Sequence, residues 1–253
     1  MPIIITTHSP ILINLENNHT VIDIFRIDKD NAEAIVLYTS KEETFTPDDI
    51  ENMKMLNYVD SHVNEFFFSD KNIIVEGSTE KLVLQYIQKL YKIPFHVINA
   101  NGKSTIGTIM KILNQFDASY YVLHDLDNTS DHGQSTLKAE QTKCKTIFSL
   151  KHDKAKIYAH DYTFEKVFYG DSVSSRIKTK TIFDILNSKE TDDKKYAVRK
   201  DILQSFNAIF ELEIDDLKPE VYNNKIIRII SEDNITDQFK HLIADESREV
   251  LSN

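Results

Sequence analysis

The sequence predicts an α/β protein built on a mostly parallel sheet, followed by a mainly helical C-terminal part. Between residues 71 and 161, short apolar runs alternate with longer stretches whose apolar residues follow helical spacing. The short runs are uninterrupted rather than alternating, as in strands buried on both faces. Only five glycines and five prolines occur, so each turn signal is informative.

The elements follow in order. "PIIIT", starting at residue 2, reads as a buried strand at the very beginning of the chain. "TVIDIFRID" and "AEAIVLYTS" read as two strands joined by the polar turn "KDN". "TPDDIENMKMLNYVDSHVNEFFF" opens as a helix, with Thr46 as N-cap and Pro47 at the first helical position. "NIIVEG" is the next strand, and "STEKLVLQYIQKLY" is its helix, with Val83, Tyr86, Ile87, Leu90 and Tyr91 on one stripe. "FHVINA" is a strand, and Ile106, Ile109, Met110 and Leu113 give the following helix its apolar face. "SYYVLHD" and "AKIYAHD" complete the set. The chain divides accordingly into residues 1–68, an α/β core over 69–170, and a helical remainder over 171–253.

Composition narrows the class. The 253 residues are 41% hydrophobic and 28% charged, which suits a folded globular protein with a sizeable core. A net charge of -10 excludes a uniformly basic nucleic-acid coat, though not nucleic acid as substrate, because basic stripes can be local. One cysteine, Cys144, cannot form an intrachain disulfide. No apolar run approaches the roughly 20 residues that span a bilayer, and "MPIIITTHSP" lacks the basic start of a signal peptide. A cytoplasmic protein without membrane contact is expected.

The chemistry gathers at strand ends. Glu76 closes "NIIVE", and Glu80 falls in the first turn of the next helix, on the face continued by Val83, Leu84 and Ile87. Its carboxylate is therefore expected to point over the sheet edge. Asp125 and Asp127 close "YYVLHDLD", and Asp161 and Glu165 follow "AKIYAHD". Sites in open parallel sheets form beyond the carboxyl ends of strands. Six carboxylates converging there would repel one another, and one or two hard divalent cations, Mg²⁺ or Mn²⁺, are the natural compensation. Each acid also has a plainer role as helix cap or turn residue, and the combination outweighs the single members. "DLDNT" also fits DxDx[TV], in which Asp125 would be the nucleophile of a haloacid-dehalogenase-like phosphatase. That reading leaves Glu76 and Glu80 unexplained. A non-catalytic nucleic-acid-binding module is a third possibility. A calcium loop fails because Ser130 stands where glycine is needed.

"NIIVEGSTEKLVL" followed by "YYVLHDLDN" resembles a Toprim domain, the metal-binding α/β fold of topoisomerases, primases and some nucleases. The Glu76 and Glu80 spacing resembles the OLD (overcoming lysogenization defect) family of ATP-dependent endonucleases. "IIITTHSPILIN" is similar to the last core strand and switch histidine of an ABC-type ATPase, which precedes Toprim in that family. The resemblance implies metal-dependent DNA cleavage with ligands Glu76, Glu80, Asp125, Asp127, Asp161 and Glu165, Glu76 and Asp125 being catalytic as well. It implies that His8 senses a nucleotide γ-phosphate, with residues 1–68 as ATPase remnant and linker. It also implies a catalytic lysine downstream, for which Lys194, Lys195 and Lys225 are available and Lys195 is preferred. Defence against phage is the family's expected setting.

No GxxxxGK[ST] occurs. "NGKST" at 101–105 comes near but has Val97 at the first glycine position, and it reads as a turn and helix start. No ATP hydrolysis by this chain alone is therefore expected. An ATPase half, in the same full-length protein or a separate chain, is the expected partner beside DNA, and self-association is allowed. Lys138, Lys143, Lys145, Lys151, Lys154 and Lys156 make one basic stretch, and Lys194, Lys195, Arg199 and Lys200 another. Lys143, Lys145, Lys194 and Lys200 are the chosen DNA contacts.

Overall fold

The four strands expected between residues 71 and 161 all form, and they lie in one sheet. The computed structural model describes residues 25–27, 34–36, 45–59, 63–115, 118–170, 173–174, 176–218 and 226–243. The opening strand, His8 and Lys225 lie outside the described residues. β1 (Phe25–Ile27) and β2 (Ala34–Val36) pair antiparallel, as the two runs around "KDN" predict.

α1 (Pro47–Val59) starts where the N-cap signal puts it. The Asp49 N–H donates to Thr46 Oγ1 at 3.2 Å, and the Thr46 N–H donates back to Asp49 Oδ2 at 2.8 Å. This reciprocal cap satisfies two otherwise orphaned donors. A 3-10 turn over Val63–Phe68 then leads into the sheet.

The main unit runs β3 (Asn72–Val75), α2 (Ser78–Tyr91), β4 (His96–Asn99), α3 (Lys103–Gln115), β5 (Tyr120–Asp125), α4 (Gln134–Ser149) and β6 (Ala155–His160). After it come α5 (Phe164–Tyr169), α6 (Lys178–Leu186), α7 (Asp193–Ile209), β7 (Ile226–Ile229) and α8 (Glu232–Phe239). The sheet order is β4-β3-β5-β6-β7, parallel except for β7, which pairs antiparallel with β6. The fifth strand is an addition to the expected helical remainder. "IIRI" is short, and its alternation of buried Ile226 and Ile229 with exposed Arg228 gives little strand signal.

Both sheet faces are covered, which explains the uninterrupted apolar runs. Ile74, Val122 and Ile157 join one core with Ile106, Ile109, Met110 and Leu113 of α3 and Ile147 of α4. Ile73, Val75, Leu123 and Tyr158 join the other with Val83, Leu84 and Ile87 of α2 and with Ile182, Ile202 and Phe206 of α6 and α7. The α2 stripe is rotated from the expected one. Leu84 is buried, whereas Leu90 is about half exposed. Full burial of each such aliphatic side chain contributes about 1.5–3 kcal/mol, so the sheet edge that carries the acids rests on a rigid base. Among the described residues no helix is long and apolar enough to cross a membrane.

Candidate metal centre at the sheet switch point

β4 lies on one side of β3 and β5 on the other, so the chain reverses its direction of sheet growth at β3. In parallel sheets the crevice at such a reversal, beyond the strand carboxyl ends, is where ligands bind. Glu76 and Asp125 flank that crevice and are tied together. The Asp125 N–H donates to Glu76 Oε2 at 3.0 Å, and the Glu76 N–H donates to the Leu123 carbonyl at 3.1 Å.

Glu80 is 3% exposed in the first turn of α2, turned over the sheet edge as its helix face predicts. One ligand atom each from Glu80, Asp125 and His160 lie within 4.8 Å of one another. Asp125 is held firmly. Its Oδ1 accepts from His160 Nδ1 at 2.9 Å and from the Phe164 N–H, at the start of α5, at 3.0 Å. The His160 ring is fully buried, with Phe164 and Phe168 meeting it edge-on, and its Nε2 has no hydrogen-bond partner. The Tyr169 hydroxyl is likewise buried without a partner, in the field of Glu165 and Glu80.

Gly77 keeps Glu80 in place by lacking a side chain. A Cβ there would meet Glu80 Oε2 at 3.2 Å, although the backbone, at φ -137°, suits any residue. Gly77→Ala is expected to fold normally but to bind Mn²⁺ about tenfold more weakly, the scale seen when a ligand's support is disturbed. Circular dichroism beside a Mn²⁺ titration checks both halves.

Residues 67–127 match the family model described as "Overcoming lysogenization defect protein-like, TOPRIM domain". Over this segment the chain is similar to an OLD-like Toprim domain. The match takes in β3 through β5, and with them Glu76, Glu80, Asp125 and Asp127. No curated protein matches the chain. A Toprim domain supports a metal-dependent role in nucleic-acid chemistry, and the centre has the character such a role requires. Burial, then the neighbouring Asp125, pushes the Glu76 carboxyl up to about 7 against the pull of Lys103. Burial and the charges of Asp125, Glu76 and Glu165 drive Glu80 well above the usual carboxylate range. Carboxylates crowded and desolvated in this way fit a hard divalent cation, which stabilises their ionised form.

Two lysines engage two of the remaining acids of the centre, Asp127 and Glu165. Lys103, first residue of α3, is buried and bonds Asp127 Oδ2 and, at 2.7 Å, Glu140 Oε2. It follows the "NG" turn, in which Asn101 and Gly102 take positive φ and the Gly102 N–H donates to the Glu76 carbonyl. Burial lowers the basicity of its ammonium, but Glu76 and Asp127 outweigh this and raise it. Lys178 of α6 bonds Glu165 Oε2 at 3.0 Å, and Glu165 is buried in the first turn of α5. Asp161 accepts from Asn128 Nδ2 at 3.0 Å, and Asn128 also holds the Tyr162 N–H and the Gln238 carbonyl.

Lys195 sits on the first turn of α7, exposed and 3.8 Å from Asp192. Lys194 and Lys200 are exposed on the same helix. Lys143 is exposed on α4 and bonds Glu140 at 2.6 Å, and Lys145 is partly buried nearby on that helix. Among the described residues, the lysines set against these acids are thus Lys103 and Lys178. Sequence reasoning assigned neither to the site and omitted His160. The adjacency of Lys103 to the Asn-Gly turn at a strand end was the available signal.

His124 and Cys144 lie beneath the centre. Burial and then Lys103 push His124 down to about 4, so it is neutral, and burial pushes the Cys144 thiol up to about 12, so it is no nucleophile.

Proposed function

We propose that the chain is the nuclease part of an OLD-like protein and hydrolyses DNA phosphodiesters with Mg²⁺ or Mn²⁺, endonucleolytically or as a nickase. The observation that carries this reading is the convergence of Glu80, Asp125 and His160 beside Glu76, at the switch point of a Toprim sheet. When bound there, the divalent ion supplies charge neutralisation of the phosphodiester and acidification of water.

Glu76, Glu80 and Asp125 would hold the ion. His160 and the Phe164 N–H engage Oδ1 of Asp125 and fix the carboxylate, which leaves Oδ2 as the oxygen that would ligate. Glu76 Oε2 is engaged by the Asp125 N–H, which leaves Oε1 to ligate or to carry a proton at neutral pH. Lys178, paired with Glu165 and partly exposed, offers a cation to the phosphate as charge builds. DNA is held by Lys143 and Lys145 on α4 and by Lys194 and Lys200 on α7. Four such contacts make binding weaken about a hundredfold between 50 and 200 mM salt. A titration of labelled duplex at several salt concentrations reads that slope, and a flat response contradicts the contacts. The ATPase half remains the proposed partner, and the setting a cytoplasmic one, in defence against phage.

The test is cleavage of supercoiled plasmid with Mg²⁺, Mn²⁺ or EDTA. Nicked or linear product with either ion and none with EDTA is expected. Intact plasmid under all three conditions, together with hydrolysis of p-nitrophenyl phosphate, would favour a phosphatase built on Asp125 instead.

A further inference from the structure

We propose that Lys103 is a built-in cation that keeps Asp127 away from the metal, so that the centre takes one divalent ion, at Glu76, Glu80 and Asp125, rather than two. This rests on the metal-centre reading and refines it.

Asp127 is committed to the lysine from both ends. Its backbone is fixed in the left-handed region at φ +55°, with its N–H on the Tyr162 carbonyl at 2.8 Å and its own carbonyl accepting from His132 Nδ1 at 3.0 Å. The side chain that leaves this fixed backbone meets Lys103 Nζ. Lys103 is equally constrained. It is 6% exposed, it begins α3 directly after a turn bonded to the Glu76 carbonyl, and a second carboxylate, Glu140, grips it from α4. Glu140 is in turn held by Lys143.

The opposite flank differs. Lys178 pairs with Glu165 in the same fashion, but its side chain is 35% exposed against 3% for Lys103. Lys178 can swing into solvent and release Glu165. Lys103 can leave only by stranding two acids from two elements and withdrawing from packed surroundings. A second Mg²⁺ would also need near-octahedral space for its retained waters, in the position that the ammonium occupies. Glu76 and Glu80 are left with no side-chain ion pair among the described residues, and Asp125 meets only the His160 imidazole, at 2.9 Å; one divalent ion matches that set.

Calorimetric titration of Mn²⁺ into the metal-stripped 253-residue chain counts the sites. One ion is expected for the wild type. Asp127→Asn should still bind one, with affinity changed by less than about tenfold, the lower limit for residues that support a ligand. Lys103→Met, which frees Asp127 and Glu140, should bind a second. Two ions in the wild type, loss of binding in Asp127→Asn, or a folded Lys103→Met that still binds one would each overturn the proposal. If Lys103→Met does not fold, the first two proteins decide it. A wild type that binds no Mn²⁺ defeats the metal-centre reading itself, whereas two ions defeat only the role of Lys103.

Discussion

Asp125→Asn is expected to lose at least about a hundredfold in DNA cleavage, since disturbing residues that merely support a metal ligand already costs roughly 10–100-fold. The substitution is chosen because asparagine keeps an oxygen where His160 and the Phe164 N–H donate, so α5 stays docked. What it removes is the charge. In the absence of metal the variant should therefore be at least as stable as the wild type, because a repelling carboxylate has left the side of Glu76 and Glu80. Adding Mn²⁺ should raise the melting temperature of the wild type and leave that of Asp125→Asn nearly unmoved. Loss of activity together with a fall in metal-free stability would instead mark Asp125 as a structural cap of α5.

The second large effect is a dependence of stability on pH that reverses when metal is added. The folded Glu76 carboxyl is raised from 4.5 to about 7, and Glu80 is raised in the same direction. Between those values the native state keeps a proton that the unfolded state has lost, so stability falls as the pH rises through this window. For Glu76 alone the displacement corresponds to about 3 kcal/mol. A divalent ion binds the ionised acids and displaces those protons, so its affinity and its stabilisation rise with pH. An excess of Mg²⁺ at about a hundred times its Kd adds about 2.7 kcal/mol. The shift in melting temperature on adding Mg²⁺ should accordingly be small at pH 5.5 and large at pH 8. An equal shift at both, or a larger one at pH 5.5, contradicts the raised carboxyls.

Much of this centre was legible in the residue order, for definite physical reasons. A buried parallel strand must emerge at its carboxyl end, so Glu76 and Asp125 could be placed there from the apolar runs alone. Glu80 followed from helix periodicity, because the face that carries Val83 and Ile87 must turn inward. His160 was hidden because it ends an apolar run and reads as strand filler until β6 is known to lie beside β5, opposite Asp125. Lys103 and Lys178 were hidden for a different reason. Their partners are 24 and 13 residues away and belong to elements whose packing no local pattern specifies. Lys195 is preferred only as a lysine downstream of the acids, as the resemblance implies, and the fold puts it on the first turn of α7, beside Asp192. Asp161 and Glu165 have partners that composition does not reveal. Both are acids following a strand end, yet one is engaged by Asn128 and the other by Lys178. The strand "IIRI" escaped notice because four residues carry too little alternation to distinguish a strand from a helix turn.

The central proposal is that strand-end carboxylates of a Toprim-like sheet hold a divalent ion that serves phosphodiester hydrolysis. The most direct measurement places wild type and Asp125→Asn side by side on supercoiled plasmid with Mn²⁺, each with an EDTA lane. Conversion to nicked or linear DNA by the wild type alone, abolished by EDTA, is the predicted result. Equal nicking by Asp125→Asn at the same Mn²⁺ concentration would contradict it.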